Sequence, residues 1–288
     1  MKHKKKLTLF DGIVCLILIV FCATILYPLL HLLAVSFSIG FHITANDISI
    51  FPRGFTLESY FYFLENQSVI RAYGNSIVYT VVGVICNVLF TVLTAYPLSK
   101  SYLLGRSFIM KLILFTLFFS GGMIPTFLVV KETGLLDSMW SLIIPNLIWT
   151  VNLIIMINFF RSLPLSLYDA AELDGASDFT VFRTIAVPLS KASIASITLF
   201  YFMGHWNSYL IPILYLHDKA KFPLQVVLRS MLMEDQVEGL GQVVDISQLT
   251  PTGVKNAVIV LSMIPVLIVY PFVQKYFVTG VMVGSVKG

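Results

Sequence analysis

Apolar residues in this chain come in long unbroken blocks separated by short polar segments. They show neither the alternation of half-buried strands nor the one-sided stripe of soluble helices. Uncharged runs extend over residues 12–46, 72–99, 112–130, 138–160, 192–216 and 256–274. A helix of about 20 mostly apolar residues crosses a bilayer, so each block suffices for one span. The pattern predicts an all-α polytopic membrane protein with six transmembrane helices, at about 10–35, 72–99, 107–130, 138–160, 190–216 and 255–277.

Composition points the same way. Of 288 residues, 57% are hydrophobic and 12% charged, where soluble domains carry about 25% charged residues. Mean hydropathy is +0.88. Six spans leave no room for a separate soluble domain. The expected organisation is a basic N-terminus over 1–9, one membrane domain over 10–277 and a tail over 278–288.

Charge sets the expected orientation. Lys2, Lys4, Lys5 and Lys6 precede the first block, and the apolar run continues through Tyr27-Pro28 with no small-residue cleavage signature. An uncleaved first helix follows, its basic end in the cytoplasm. Lysines and arginines assigned to inner segments outnumber those assigned to outer ones, which agrees with the positive-inside rule. The chain is expected to cross its membrane several times, with both termini and the 163–189 loop in the cytoplasm. The outer segments are 38–71, with an aromatic stretch Tyr60–Phe63 that suits an interfacial helix, and 217–255, whose Glu234, Asp235 and Glu238 suit an exposed loop.

Chemistry within the chain is not expected. Cys15, Cys22 and Cys86 all lie in apolar runs without a Cys-x-x-Cys or Cys/His neighbour, so neither a metal site nor a disulfide is predicted. No Gly-x-x-x-x-Gly-Lys-Ser/Thr loop is present, so the chain is not an ATPase. No nucleophile–base set stands out, and no catalytic residue is assigned.

The 163–189 loop is the most informative polar segment. Pro164 opens a helix where a missing amide proton costs little. Ala170, Ala171, Glu172 and Leu173 are good helix formers. Gly175 stands where a left-handed residue would end that helix. Ser177 or Asp178 caps a second helical pattern, whose Phe182, Ile185 and Ala186 share one side before Pro188 closes it. The residues alone leave two readings, a docking surface and an amphipathic helix lying on the membrane.

The order Asp169-Ala170-Ala171-x-x-Asp174-Gly175-Ala176, followed by Phe182, Ile185, Val187 and Pro188, resembles the EAA loop of binding-protein-dependent ABC importer permeases. Asp169 replaces the family's usual glutamate, Val187 its leucine, and Ala192 stands where a second proline often occurs. Ser120-Gly-Gly-Met-Ile-Pro125, Gly134-Leu-Leu-Asp137, Trp206-Asn207, Tyr270-Pro271 and the glycine-rich ending from Lys275 to Gly288 are similar to the carbohydrate-uptake branch, MalG-like and of the LplC/YtcP type. The likeness covers about residues 70–288.

That resemblance implies a type I importer permease fold and a division of labour. Asp169, Ala170, Ala171, Asp174, Gly175, Ala176, Phe182, Ile185 and Pro188 would form coupling helices seated on an ATPase, with Gly175 buried at the turn and Phe182 an apolar anchor. Gly284, Lys287 and Gly288 of the tail would reach the ATPase pair. The implied partners are a second homologous permease in a heterodimer, two cytoplasmic ATPase subunits, an extracytoplasmic solute-binding protein, membrane lipid and a sugar, with no nucleic acid. No cofactor is expected on this chain, and ATP and Mg belong to the ATPase.

Polar residues inside spans are the candidates for a substrate path. They are Asn75, Tyr79 and Asn87 on the second span, Asn146, Trp149 and Asn152 on the fourth, and Trp206, Asn207 and Tyr209 on the fifth. Aromatic faces beside amides suit a sugar, although Trp206-Asn207 also suits helix packing, and His205 is expected to bridge helices. The competing function classes are a secondary carrier, which would show inverted repeats and charges within spans, and an ABC permease for non-sugar cargo such as peptides.

Overall fold

In the computed structural model, residues 9–233 and 250–285 are described. Their regular structure is helical, and Ser38–Phe55 is the one isolated β-bridge among them. Leu9–Ser36, Gln67–Ser99 and Pro251–Phe272 are each long and apolar enough to cross a bilayer. Three bent helix pairs pass the same test as units, which brings the possible spans among the described residues to six.

Bends divide several of the apolar blocks. Over 107–130 the chain forms two helices, Arg106–Phe118 and Met123–Glu132, at 118° to one another. Gly122 takes a left-handed φ of +83°, and its amide donates to Ser120 Oγ at 3.2 Å. A glycine pair and a local side-chain bond thus replace the helical ladder. Over 138–160, Met139–Asn146 and Thr150–Ser162 meet at 51°, just after Pro145, which has no amide to continue the ladder. The fifth segment runs as Lys191–Trp206, breaks, and resumes as Leu210–Tyr215.

The chain divides into two compact units, Met1–Ile70 with Leu228–Ile264 and Arg71–Val227 with Pro265–Gly288. In the first, Ala34, Val35 and Ile48 form a small core. Phe37 stacks on Tyr60 at 4.9 Å, and the Tyr60 hydroxyl lies 2.8 Å from Ser36 Oγ. The aromatic stretch therefore is a helix, Glu58–Glu65, but Phe63 is buried while Phe61 stays exposed. Asn66 Oδ1 accepts from the amides of Ser68 and Val69 and so caps the Gln67–Ser99 helix.

The second unit holds the larger core. Leu153, Met156, Ile157 and Phe160 recur at helical spacing on one face and meet Val92, Ala95, Tyr96 and Leu98, with Ile197 and Tyr201 closing the cluster. Lipid solvates apolar side chains as well as a protein core does, so close packing and polar contacts hold such helices together.

Candidate functional site

The helix Leu165–Leu173 ends as Gly175 predicts. Gly175 has φ +72°, its amide donates to Glu172 O at 3.0 Å, and the Ala176 amide donates to Ala171 O at 2.9 Å. This pair of bonds is a Schellman motif, which satisfies carbonyls that the helix end leaves open. Ser177 Oγ then accepts from the Thr180 amide at 3.3 Å and caps Asp178–Val181. A π-helical turn, Phe182–Ala186, leads to Val187–Leu189, and the chain swings by 77° at Ser190 into Lys191–Trp206. The Schellman motif and the Ser177 cap together fix the turn between Leu173 and Asp178.

One expectation for Gly175 fails. The residue is exposed, and an added Cβ would meet nothing within 4 Å. Glycine is favoured there by its left-handed backbone, not by close packing.

The element has two apolar faces. Ala171, Val181 and Ala186 are buried. Phe182 turns inward, its ring 5.0 Å from that of Tyr96, and Tyr96 meets Phe160 edge-on at 5.6 Å. Phe182 thus anchors the element to its own chain. The most exposed apolar side chains of the element are Leu173 at 89%, Leu165 at 75% and Phe179 at 66%; Leu173 and Phe179 flank the Gly175 turn. The motif did not single them out; the signal available was a large apolar residue on either side of a polar turn.

The loop after Gln67–Ser99 ties the element down. Lys100 Nζ sits 3.3 Å from the centre of the Tyr168 ring, a cation–π contact, and Tyr102 donates to Asp178 Oδ1 at 2.9 Å. Between loop and element lies a cavity of about 800 Å3, lined by Lys100, Arg106 and Arg161 and by Asp169, Glu172 and Asp178. None of the ion pairs among the described residues involves Asp169, Glu172 or Asp174.

The structure sorts the candidate substrate-path residues by what they bond. Asn75 Nδ2 donates to Ala220 O and Phe222 O, and Tyr79 donates to Lys221 O at 2.9 Å. Ser76 Oγ accepts from the Leu224 amide at 2.8 Å. These side chains moor the 217–224 segment. Asp137, in a left-handed conformation with φ +55°, completes the mooring. Its carboxylate accepts from the amides of His217 and Asp218 and from Lys221 Nζ. Lys221 and then those two amides hold the Asp137 carboxyl well below the usual carboxylate range, and the same contact raises the Lys221 ammonium.

Asn87 is fully buried and bonded on both ends of its amide. Its Nδ2 donates to Asn146 O and Leu147 O, each at 2.7 Å, and its Oδ1 accepts from His205 Nε2 at 2.7 Å. His205 therefore bridges helices, as expected. Trp206 is buried, edge-on to Tyr73 at 5.9 Å and stacked on Phe202, and Asn207 Nδ2 bonds back to Met203 O. Tyr209 precedes the Leu210–Tyr215 helix.

Of these candidates, half-buried Asn146, Trp149 and Tyr209 and exposed Asn207 keep accessible surface, whereas Asn152 is buried with its side-chain nitrogen unpartnered. No group of His, Cys, Asp and Glu among the described residues has the arrangement of a metal site. Of the tail, helix Pro251–Ser285 takes in Gly284, further than the expected span end near 277. Lys287 and Gly288 lie outside the described residues, as do Glu234, Asp235 and Glu238.

No protein-family model matches the chain. Curated relatives do. Protein LplC of Bacillus subtilis is 44% identical over 267 residues, 92% of this chain and 90% of its own length. The polygalacturonan/rhamnogalacturonan transport system permease protein YtcP of the same organism is 42% identical, with 97% and 99% covered. Among solved structures, a bacterial ABC transporter involved in the import of the acidic polysaccharide alginate superposes with a TM-score of 0.90 at 34% identity, over 96% of this chain and 99% of the other. The end-to-end match spans the helix breaks and the 164–190 element alike, and the chain belongs to the family of membrane-spanning ABC transport permeases that includes LplC and YtcP.

Proposed function

We propose that this chain is one permease of a heterodimer in an ATP-driven, binding-protein-dependent importer of oligosaccharides. The observation that carries this reading is the 164–190 element. Its turn is fixed by a Schellman motif and a serine cap, its inner face is anchored through Phe182 and Tyr168, and its outer face offers Leu173 and Phe179 beside unpaired carboxylates. A rigid, internally anchored knob with an apolar tip suits transmission of force, because a loose loop would absorb the stroke.

In this reading the element faces the cytoplasm and seats in a groove of one of two ATPase subunits. Leu173 and Phe179 supply buried contact, and Asp169 and Glu172 meet basic side chains. ATP and Mg stay on the ATPase, and this chain catalyses nothing. An extracytoplasmic binding protein delivers the cargo to the opposite face, which carries the moored 217–224 segment. The names of the relatives and of the alginate importer favour carbohydrate, with acidic oligosaccharides the first to test.

The test is purification of the tagged chain from its native membrane in mild detergent, with co-purifying proteins identified. A second permease, an ATPase and a solute-binding lipoprotein are expected, and the lipoprotein is then screened against glycans and peptides. A chain that purifies alone and transports after reconstitution without ATP would overturn the proposal in favour of a secondary carrier.

A further inference from the structure

The break between Met139–Asn146 and Thr150–Ser162 leaves backbone groups without helical partners in the middle of an apolar segment. A membrane interior offers no water to satisfy them, so broken helices persist there only where neighbouring groups take over. Two neighbours do so here. From Gln67–Ser99, the Asn87 amide donates to both carbonyls at the end of the first half, Asn146 O and Leu147 O. From Lys191–Trp206, the Tyr201 hydroxyl accepts the Trp149 amide that opens the second half, at 3.0 Å, and lies 2.7 Å from Thr91 Oγ1. Asn87, Thr91 and Tyr201 are all fully buried.

The clamp is closely fitted. His205 donates to Asn87 Oδ1, which fixes the amide with its NH2 towards the two carbonyls. Gly83 leaves room for the imidazole, since an added Cβ would lie 2.6 Å from His205 Nε2. Gly204 leaves room for the Trp149 indole, whose ring would overlap an added Cβ, and the indole rests on Tyr201 with centroids 4.9 Å apart. Four helical segments thus converge on one break. Next to the break lie half-buried Asn146 and Trp149, and Asn152, which is buried with an unpartnered side-chain nitrogen.

We propose that Asn87 and Tyr201 are positioning residues that hold the Leu147–Trp149 break and thereby set the placement of Asn146 and Trp149 along the transport path. Neither touches cargo. Asn87 fixes the carbonyl side, Tyr201 fixes the amide side, and the helix is held bent by polar groups without which it would be free to straighten or slip. The inference rests on the permease reading for what the break is used for, but the clamp itself is tested separately.

The experiment uses the whole reconstituted transporter carrying Tyr201→Phe or Asn87→Leu. Tyr201→Phe keeps the ring against Trp149 and removes only the oxygen, so it serves where Asn87→Leu fails to assemble. Hydrogen exchange at the Trp149 amide and uptake per ATP hydrolysed are read for each variant that assembles. The expected result is faster exchange at Trp149 in Tyr201→Phe. Uptake per ATP falls roughly fivefold or more, as expected when both neutral hydrogen bonds of the Tyr201 hydroxyl, to Trp149 and Thr91, are lost, while ATP hydrolysis stays at the wild-type rate. Unchanged exchange and unchanged uptake per ATP in Tyr201→Phe would overturn the proposal. So would a parallel fall of uptake and hydrolysis at a constant ratio, the mark of packing alone. Absence of ATP-dependent uptake in the wild type would instead remove the permease reading, and the exchange result would still decide whether the clamp exists.

Discussion

The 164–190 element and the cluster around Asn87 invert the usual relation between polarity and function. In the buried cluster the conspicuous polar side chains are bonded to their own chain: Asn87 to two carbonyls and His205, and Tyr201 to Trp149 and Thr91. In the exposed element, Asp169, Glu172 and Asp174 enter none of the ion pairs among the described residues, and the apolar side chains of Leu173 and Phe179 are exposed. Low dielectric explains the first region, since a buried polar group left unpaired costs free energy. The second region tolerates open polar groups because water satisfies them until a partner arrives. A polar residue in a span is thus first a structural group, and an apolar residue on a loop is first a contact.

Gly175→Arg separates the two regions most sharply. With nothing within 4 Å of an added Cβ, the turn has space, and the left-handed backbone costs an L-residue about 1–2 kcal/mol. The arginine projects onto the docking face. Membrane level is therefore expected to stay near wild type while ATP-coupled uptake falls about tenfold or more, equivalent to about 1.4 kcal/mol of docking free energy. Gly175→Ala should retain most uptake. If Gly175→Ala proved as damaging as Gly175→Arg, backbone conformation would matter more than the face.

Gly204→Val tests the buried region. The Trp149 ring occupies the space a Cβ would need, so overpacking is expected to destabilise the protein by about 1–3 kcal/mol. Thermal unfolding in detergent reads this directly, and an unshifted midpoint would mean that Trp149 moves freely. The double substitution Leu173→Ser with Phe179→Ser makes the opposite forecast. Exposed positions outside special features shift stability by about 0.5 kcal/mol or less. The melting point should therefore hold while the ATPase co-purifies in lower yield. A drop in melting point instead would place these side chains against their own chain.

What the sequence made legible follows from the range of the forces involved. The apolar blocks, the Gly175 helix stop, the Ser177 cap and the end of the coupling element at Pro188 are local, and each stands where local chemistry put it. The breaks did not show in the sequence because a run such as 112–130 is uncharged throughout, and hydropathy does not register that Ser120-Gly121-Gly122 folds back through 118°. Fates of polar side chains were missed for another reason. Asn75, Asn87 and Asn152 look alike in an apolar run, yet the first moors a segment 145 residues away, the second clamps a break, and the third keeps an unpartnered nitrogen. Only tertiary placement distinguishes them. His205 was legible as a bridge because a single imidazole among uncharged neighbours has few other uses there.

The mooring of the 217–224 segment lies between the two regions in character, with charged groups that are bonded but half exposed, and it yields the smallest expected effect. Asp137→Asn is a confined change: asparagine also tolerates a left-handed backbone and keeps an oxygen for the His217 and Asp218 amides, while the oxygen facing Lys221 becomes an NH2 donor, so both the charge and the side-chain bond to Lys221 are lost. Because Lys221 and the two amides depress the folded-state pKa of Asp137, its contribution is fully present above the ordinary aspartate value of about 3.9 and fades as pH falls through that value towards the folded one. Lys221 works at the other end of the scale. Its raised pKa contributes stability below the ordinary lysine value and loses it as pH rises through the folded one. The charges facing the pair are Asp218 and, when ionised, Tyr79. Melting points in detergent from pH 7 downward should therefore show wild type above Asp137→Asn at neutral pH, with the gap closing below about pH 4. A gap that stays constant into acid would mean that the Asp137 oxygens act through shape and not charge.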